Sequence, residues 1–392
     1  MIYLDHSATT AVDPEVREAM LPYLSEDYGN PNSIYELGRR ARRAMEEARE
    51  RLAAYLGARP REIVFTGGGT EADNLAIKGL AWARRDRGNH IITSAIEHHA
   101  VLHACDALER EGFRVTRLPV DEHGLVSPEA LRQALRDDTI LVSIMHANNE
   151  IGTVQDLEEL GAICRERGVL LHTDAVQSLG KLPIDVSWLP VDLVALSAHK
   201  FHGPKGVGAL WVRSGVRLLP LLDGGGQEGG RRSGTENVAG IVGLGKAIEL
   251  LDTRGPADLE RLGALCRRLS DGVMDRIPHV LRTGHPTRRL PTLASFCIRY
   301  IEGEAILLGL DAEDICGSTG SACSSGSLEP SHVLLALGLS HEVAHGSLRL
   351  SLGRYNTEEE IEQVLEALPR IVGRLREMSP LWTDARRRGE VE

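Results

Sequence analysis

The sequence predicts an α/β protein: a mostly parallel sheet covered by helices, followed by a smaller α+β C-terminal domain. Three observations carry this. Short apolar runs at 140–145, 193–196 and 207–212 are continuous rather than alternating, as in strands buried on both faces. Between them lie segments of helical period. After Thr253 this alternation stops.

The elements follow in order. Residues 39–56 place Ala41, Ala44, Met45, Ala48, Leu52 and Tyr55 at helical spacing. Residues 62–65 read as a strand and 72–83 as a helix. Ile91-Ile92 is a short strand, 98–111 a helix and 114–120 extended. Residues 127–135 form a helix capped by Ser127, with Pro128 at its first position. A strand at 140–145, a helix at 157–167 and strands at 169–172, 193–196 and 207–212 complete the large domain. The segment Asp252-Thr-Arg-Gly-Pro-Ala is a candidate boundary. Beyond it come a helix at 258–276, strands near 292–299 and 346–352, and a final helix at 357–378. The tail Arg386-Arg-Arg-Gly reads as a solvated, disordered end. The expected units are an arm at 1–15 packing with the small domain, a large domain at 16–253 and a small domain at 254–392.

A chain of 392 residues with 42% hydrophobic content buries about three quarters of its surface and needs no disulfide staples. Net charge is −11, from 45 basic and 56 acidic residues, which argues against broad nucleic-acid or anionic-membrane binding. No run approaches the ~18 apolar residues of a membrane span. The opening Met1-Ile-Tyr-Leu-Asp-His lacks the basic start of a signal peptide. Six cysteines without a CxxC fit a reducing cytosol.

Polar residues cluster just after the apolar strands. Phe65 leads into Thr66-Gly-Gly-Gly-Thr70, Ile91-Ile92 into Glu97-His98, and Met145 into His146, Asn148, Asn149 and Glu150. His172 leads into Asp174 and Gln177, and Leu196 into Ser197, His199 and Lys200. In a parallel sheet these ends share the edge where ligands bind. The glycine loop suits a phosphate at a helix N-terminus; equally, Thr70 and Asp73 make a capping-box-like start.

The chain has five lysines against 40 arginines. Lys200 directly follows a buried strand, where a Schiff base avoids the cost of a buried ammonium. The competing reading is a surface lysine, which suits Lys78, Lys181, Lys205 and Lys246 better. Asp174 at a strand end needs a partner, such as a protonated pyridine nitrogen; metal ligation with His172 competes but lacks a third ligand, so no metal is expected. Cys105, Cys164, Cys266 and Cys297 fall in helix or strand patterns and read as core residues. Cys323, in Gly317-Ser-Thr-Gly-Ser-Ala-Cys-Ser-Ser-Gly-Ser, reads as part of an exposed, mobile loop and as functional.

Together these residues resemble the cysteine desulfurases, pyridoxal-phosphate enzymes of the class V aminotransferase group and fold type I. The resemblance runs nearly full length. It rests on Tyr3-Leu-Asp-His-Ser-Ala-Thr-Thr, Tyr28-Gly-Asn-Pro, Phe65-Thr-Gly-Gly-Gly-Thr-Glu-Ala-Asp-Asn, Asn148-Asn-Glu-Ile-Gly, Asp174-Ala-Val-Gln, Ser197-Ala-His-Lys and Arg232-Ser-Gly-Thr. Its most specific piece is Gly320-Ser-Ala-Cys-Ser-Ser-Gly-Ser-Leu-Glu-Pro-Ser-His, similar to the branch tied to iron–sulfur assembly and nitrogen fixation.

The resemblance implies roles. Lys200 would bind pyridoxal 5'-phosphate covalently, Asp174 would pair with the pyridine nitrogen, and His98 would stack on the ring. Gln177 would contact the phenolic oxygen, with Asn149 nearby. Gly69, Thr70, Ser197 and His199 would hold the phosphate, with Thr235 reaching it across a homodimer interface. Arg349 would bind the carboxylate of L-cysteine. Cys323 would take the sulfur as a persulfide for an acceptor such as an iron–sulfur scaffold, in the cytoplasm. Selenocysteine lyase and a related aminotransferase are the rival activities. Tyr35 departs from the histidine that the family often has there.

Overall fold

The computed structural model describes residues 1–320 and 329–391. The expected loop around Cys323 lies outside the described residues.

β1 (Ile2–Tyr3) opens the chain. Then come β2 (Ile63–Thr66), β3 (His90–Ser94), β4 (Arg114–Leu118), β5 (Thr139–Ser143), β6 (Leu170–Asp174), β7 (Leu193–Ser197) and β8 (Gly208–Val212). These seven form one sheet in the order β2-β8-β7-β6-β5-β3-β4. β8 runs antiparallel to both its neighbours, and the other pairs are parallel. Every residue of β2, β3, β5, β7 and β8 is buried, which is why the apolar runs do not alternate. Successive side chains serve opposite faces. Ile63, Phe65, Ile92, Val142 and Val194 join one core with the helix Glu36–Tyr55. Val64, Ile91, Leu141 and Leu193 join another with the helix His99–Arg110. The edge strand β4 exposes Arg114 and Arg117, a charged edge that discourages strand addition.

The chain passes from β3 outward to β4, then back past β3 to β5, so the strand order reverses between β3 and β5. In such sheets the crevice at that reversal, beyond the strand C-termini, receives ligands.

The helix expected to start at 258 starts twenty residues earlier. Val238–Arg276 is one continuous helix through Gly255 and Pro256. Leu250 and Leu251 pack in the sheet core and Leu262 and Leu265 in a second core. With both ends anchored and Pro256 exposed, packing overrides the local break. The change of core still falls within the stretch after Leu251.

β9 (Val280–Arg282), β10 (Leu293–Ile298), β11 (Ile315–Cys316) and β12 (Ser347–Ser351) complete the strands. β12-β10-β9 is an antiparallel sheet, and β1 pairs with β11 in parallel. Ile2 and Leu4 therefore belong to the second core. Thr357 and Glu360 form a capping box on the helix Glu358–Met378. The tail is not disordered as far as Arg387: Pro380–Arg387 is a helix capped by Ser379. Trp382 packs on Tyr300 at 5.4 Å between ring centroids, with the Arg376 guanidinium over it. The arginine run hid this aromatic anchor. No helix among the described residues is long and apolar enough to cross a membrane.

Candidate active site

The C-terminal ends of β2, β3, β5, β6 and β7 meet at one cleft. Gly69, Thr70, His98, Asn149, Asp174, Gln177, Ser197, His199, Lys200 and Arg349 all line it. Its cavity volume is about 260 Å³, the order of size of a small-molecule site. Thr235 is exposed and does not line it in this chain.

The glycine loop differs in detail from the capping reading. The helix Gly69–Asn74 is capped by Gly68, not Thr70. Gly68 sits at φ +151°, a conformation that side chains rarely adopt. A Cβ on Gly69 would come within 2.6 Å of Val176. The Glu71 carboxylate reaches back to the Gly67 amide at 2.7 Å and also takes the Arg232 guanidinium. The first-turn amides have no intrahelical acceptor, so the cradle offers the cleft backbone donors from glycines that leave room for a ligand.

Lys200 ends a short helical turn, Ala198–Lys200, directly after β7. Its Nζ donates to the carbonyls of Ser7 at 2.6 Å and Ala8 at 2.8 Å. The N-terminal arm thus reaches into the cleft, a role the sequence reading had not given it. Asp174 ends β6 and accepts the Val176 amide at 2.9 Å. Burial raises its pKa, against the pull of that amide and of Lys200. Asp73, read from sequence as a capping partner, is buried beside it, and burial, Asp174 and Glu97 raise its pKa too. His172 points its Nε2 at Asp73, 3.5 Å away, and its Nδ1 at Ser143. Among the described residues no group of three His, Cys, Asp or Glu is placed to hold a metal ion.

His98 caps the helix His99–Arg110, its Nδ1 accepting the Ala100 amide at 3.1 Å. That bond assigns the ring proton to Nε2. Burial, then Lys200, His99 and His103, lower its pKa to about 4, so it is a flat, neutral ring. His199 is lowered to about 4 by burial and by Lys200 and Lys205; its Nδ1 meets the Thr9 hydroxyl at 3.1 Å.

Arg349 sits in mid-β12 and is buried. It donates to Asp5 at 2.8 Å and to the Asn149 carbonyl at 2.9 Å. Its Nε has no hydrogen-bond partner among the described residues. Arg354, by contrast, is held by Asp13 and Asp258 and stays out of the cleft. Burial pushes the thiols of Cys105, Cys164, Cys266 and Cys297 up to about 12, which suits inert core residues.

This arrangement fits pyridoxal phosphate: a donor-rich cradle closed to side chains, a buried carboxylate with an amide but no cationic partner on its own strand end, a neutral ring and a lysine amine. The family described as aminotransferase class-V matches residues 2–364. The chain is 58% identical over 380 residues to a cysteine desulfurase IscS of Methanosarcina thermophila, covering 97% of this chain and 94% of that protein. Among solved structures, a NifS-like protein superposes with a TM-score of 0.90 at 41% identity, covering 95% of this chain and 100% of that one. A second, SspA in complex with cysteine, gives a TM-score of 0.81 at 39% identity over 91% and 100% of the two chains. Sequence, fold and cleft agree, and the chain belongs to the cysteine desulfurase family of the class-V aminotransferases.

Proposed function

We propose that the protein is a pyridoxal-phosphate-dependent cysteine desulfurase that converts L-cysteine to L-alanine and passes the sulfur to Cys323 as a persulfide. The observation that carries this is Lys200, Asp174, His98 and Arg349 in one cleft, opposite a phosphate-ready glycine loop. Bound pyridoxal phosphate supplies an electron sink when the Cα–H bond of cysteine breaks. The chain's residues do the rest. Arg349 anchors the substrate carboxylate, with Asp5 and the Asn149 carbonyl fixing its orientation. Asp174 keeps a cationic ring nitrogen paired inside the protein. His98 presents its flat face and its Nε2 proton. Lys200, next to the Ser7 and Ala8 carbonyls, carries the Cα proton. The carbon–sulfur bond of cysteine breaks as the Cys323 sulfur takes the substrate sulfur, so thiol plus cysteine gives persulfide plus alanine in balance.

The chain is read as an arm at 1–15, a large domain at 16–253 and a small domain at 254–392. It works as a cytoplasmic homodimer, with Thr235 completing the neighbouring phosphate site. An acceptor such as an iron–sulfur scaffold takes the sulfur for clusters or other thio-cofactors. The test is incubation of the loaded protein with L-cysteine and a reductant, measuring sulfide and alanine together. Equal release, lost in Cys323→Ser while cofactor binding persists, is the expected result. A serine variant that desulfurates cysteine at the wild-type rate refutes the assignment.

A further inference from the structure

Lys181, which the sequence alone suits to a surface position, lies close to this machinery. It does not line the cleft. It lines a second cavity behind Lys200, with His6, Thr10, His202 and Arg354. Its Nζ donates to Gln177 Oε1 at 3.2 Å. Gln177 Nε2 donates to the Ser7 carbonyl at 2.8 Å, and the same carbonyl accepts from Lys200 Nζ at 2.6 Å. A continuous chain of hydrogen bonds therefore runs from Lys181 through Gln177 and Ser7 to Lys200.

We propose that Lys181 is a positioning residue for the reaction: it locks the Gln177 amide so that Gln177 offers the cofactor's phenolic oxygen a donor rather than an acceptor. The inference rests on the pyridoxal-phosphate reading above. Reversing the amide would set Oε1 against the Ser7 carbonyl, a repulsive contact in place of a bond, and would take the acceptor away from the Lys181 N–H groups. A bond from Lys181 at Oε1 also polarises the amide and strengthens its N–H groups as donors, most strongly while the amine is protonated. The charged groups bearing on Lys181 are Lys200, Arg349 and His6. Burial first, then Lys200 and Arg349, lower its pKa to about 7. Among the described residues no carboxylate pairs with it, so its polar partner is the glutamine.

The test titrates the visible absorbance of the pyridoxal-phosphate-loaded protein against pH. Lys181→Met removes a donor and a positive charge, and both losses favour the protonated form of the Lys200 nitrogen. The midpoint is expected to rise by about one pH unit. Lys181→Arg keeps charge and donor and should restore at least half of the shift. In a Gln177→Leu background, Lys181→Met should move the midpoint less than half as far, because only the direct loss of charge remains. Melting curves confirm folding; if the methionine variant fails to fold, Lys181→Leu, which likewise has neither donor nor charge, takes its place with the same expected rise. A midpoint within about 0.2 unit of wild type, or a full shift retained without Gln177, overturns the proposal while leaving the cofactor reading intact. A wild-type protein that takes up no pyridoxal phosphate overturns both.

Discussion

The two sheets supply the cleft in opposite ways. Five strands of the seven-stranded sheet deliver polar groups from their C-terminal ends, where the chain leaves the sheet. The sheet β12-β10-β9 delivers a single group, Arg349, from the middle of a strand whose every residue is buried. A strand end needs no outside help to place a polar side chain: the parallel direction brings all such ends to one edge. A mid-strand guanidinium needs a partner to be buried at all. Arg349 finds it in Asp5, 344 residues away in sequence. The half of the site proposed to handle the cofactor is built from local strand–loop junctions. The half proposed to handle the substrate's carboxylate exists only once the arm, the loop after β5 and the small sheet have come together.

Variants separate these halves. The largest effect is expected from Lys200→Ala, at the strand-end half. Alanine release should fall by about 10²–10⁴-fold, and borohydride should trap no cofactor adduct, with the melting temperature little changed. An undiminished adduct would move the role to Lys205, which is exposed beside the glycine loop.

Next is Arg349→Lys, at the tertiary half. One ammonium cannot serve Asp5, the Asn149 carbonyl and a bidentate carboxylate together. The Michaelis constant for cysteine should rise about 10–100-fold, about 1.4–2.8 kcal/mol of binding, while the absorbance of the bound cofactor stays as in wild type. An unchanged constant would take Arg349 out of substrate binding.

The smallest effect is on stability and comes from Glu97, just before His98. Its Oε1 accepts from Ser94 Oγ at 2.5 Å and from the Met145 amide at 3.0 Å, and among the described residues Oε2 has no partner. Burial raises its pKa to about 8. The fold therefore favours the protonated acid. That contribution is fully present below about pH 4.5, the ordinary value, and is lost as pH rises through about 8. Glu97→Gln cannot ionise, so its stability relative to wild type should grow steadily between about pH 5 and about pH 8 and level off above. Denaturant midpoints at the two pH values check this. A margin that does not change with pH would show that Glu97 does not titrate in the fold.

Much of the molecule was legible beforehand, for reasons that can be named. The strands of the large sheet stood out as continuous apolar runs because both their faces are buried. Ser127 marked a helix start through cap chemistry that acts over three residues. His98, Asp174 and Lys200 were visible because a titratable residue directly after a buried strand is costly without a function. Other features were hidden. Gly255-Pro256 looked like a break, but cores on either side hold the helix through it. The run Arg386-Arg-Arg looked solvated, but Trp382 had Tyr300 to pack against. Thr70 looked like a cap, but the helix is capped two residues earlier, at Gly68, whose conformation only the fold requires.

The sequence by itself determined the alternation of strands and helices, the edge at which the polar groups collect and the identity of the lysine, carboxylate and imidazole there. All of these depend on side-chain period and on neighbours a few residues apart. Tertiary structure alone decided which carbonyls receive Lys200, that Asp73 crowds Asp174, that Asp5 anchors Arg349 and that Lys181 reaches Gln177 from behind. Except for the Lys181–Gln177 turn, those are pairings between distant segments. Even that turn gains its meaning from the Ser7 carbonyl, because burial and orientation are set by what the rest of the chain packs against it.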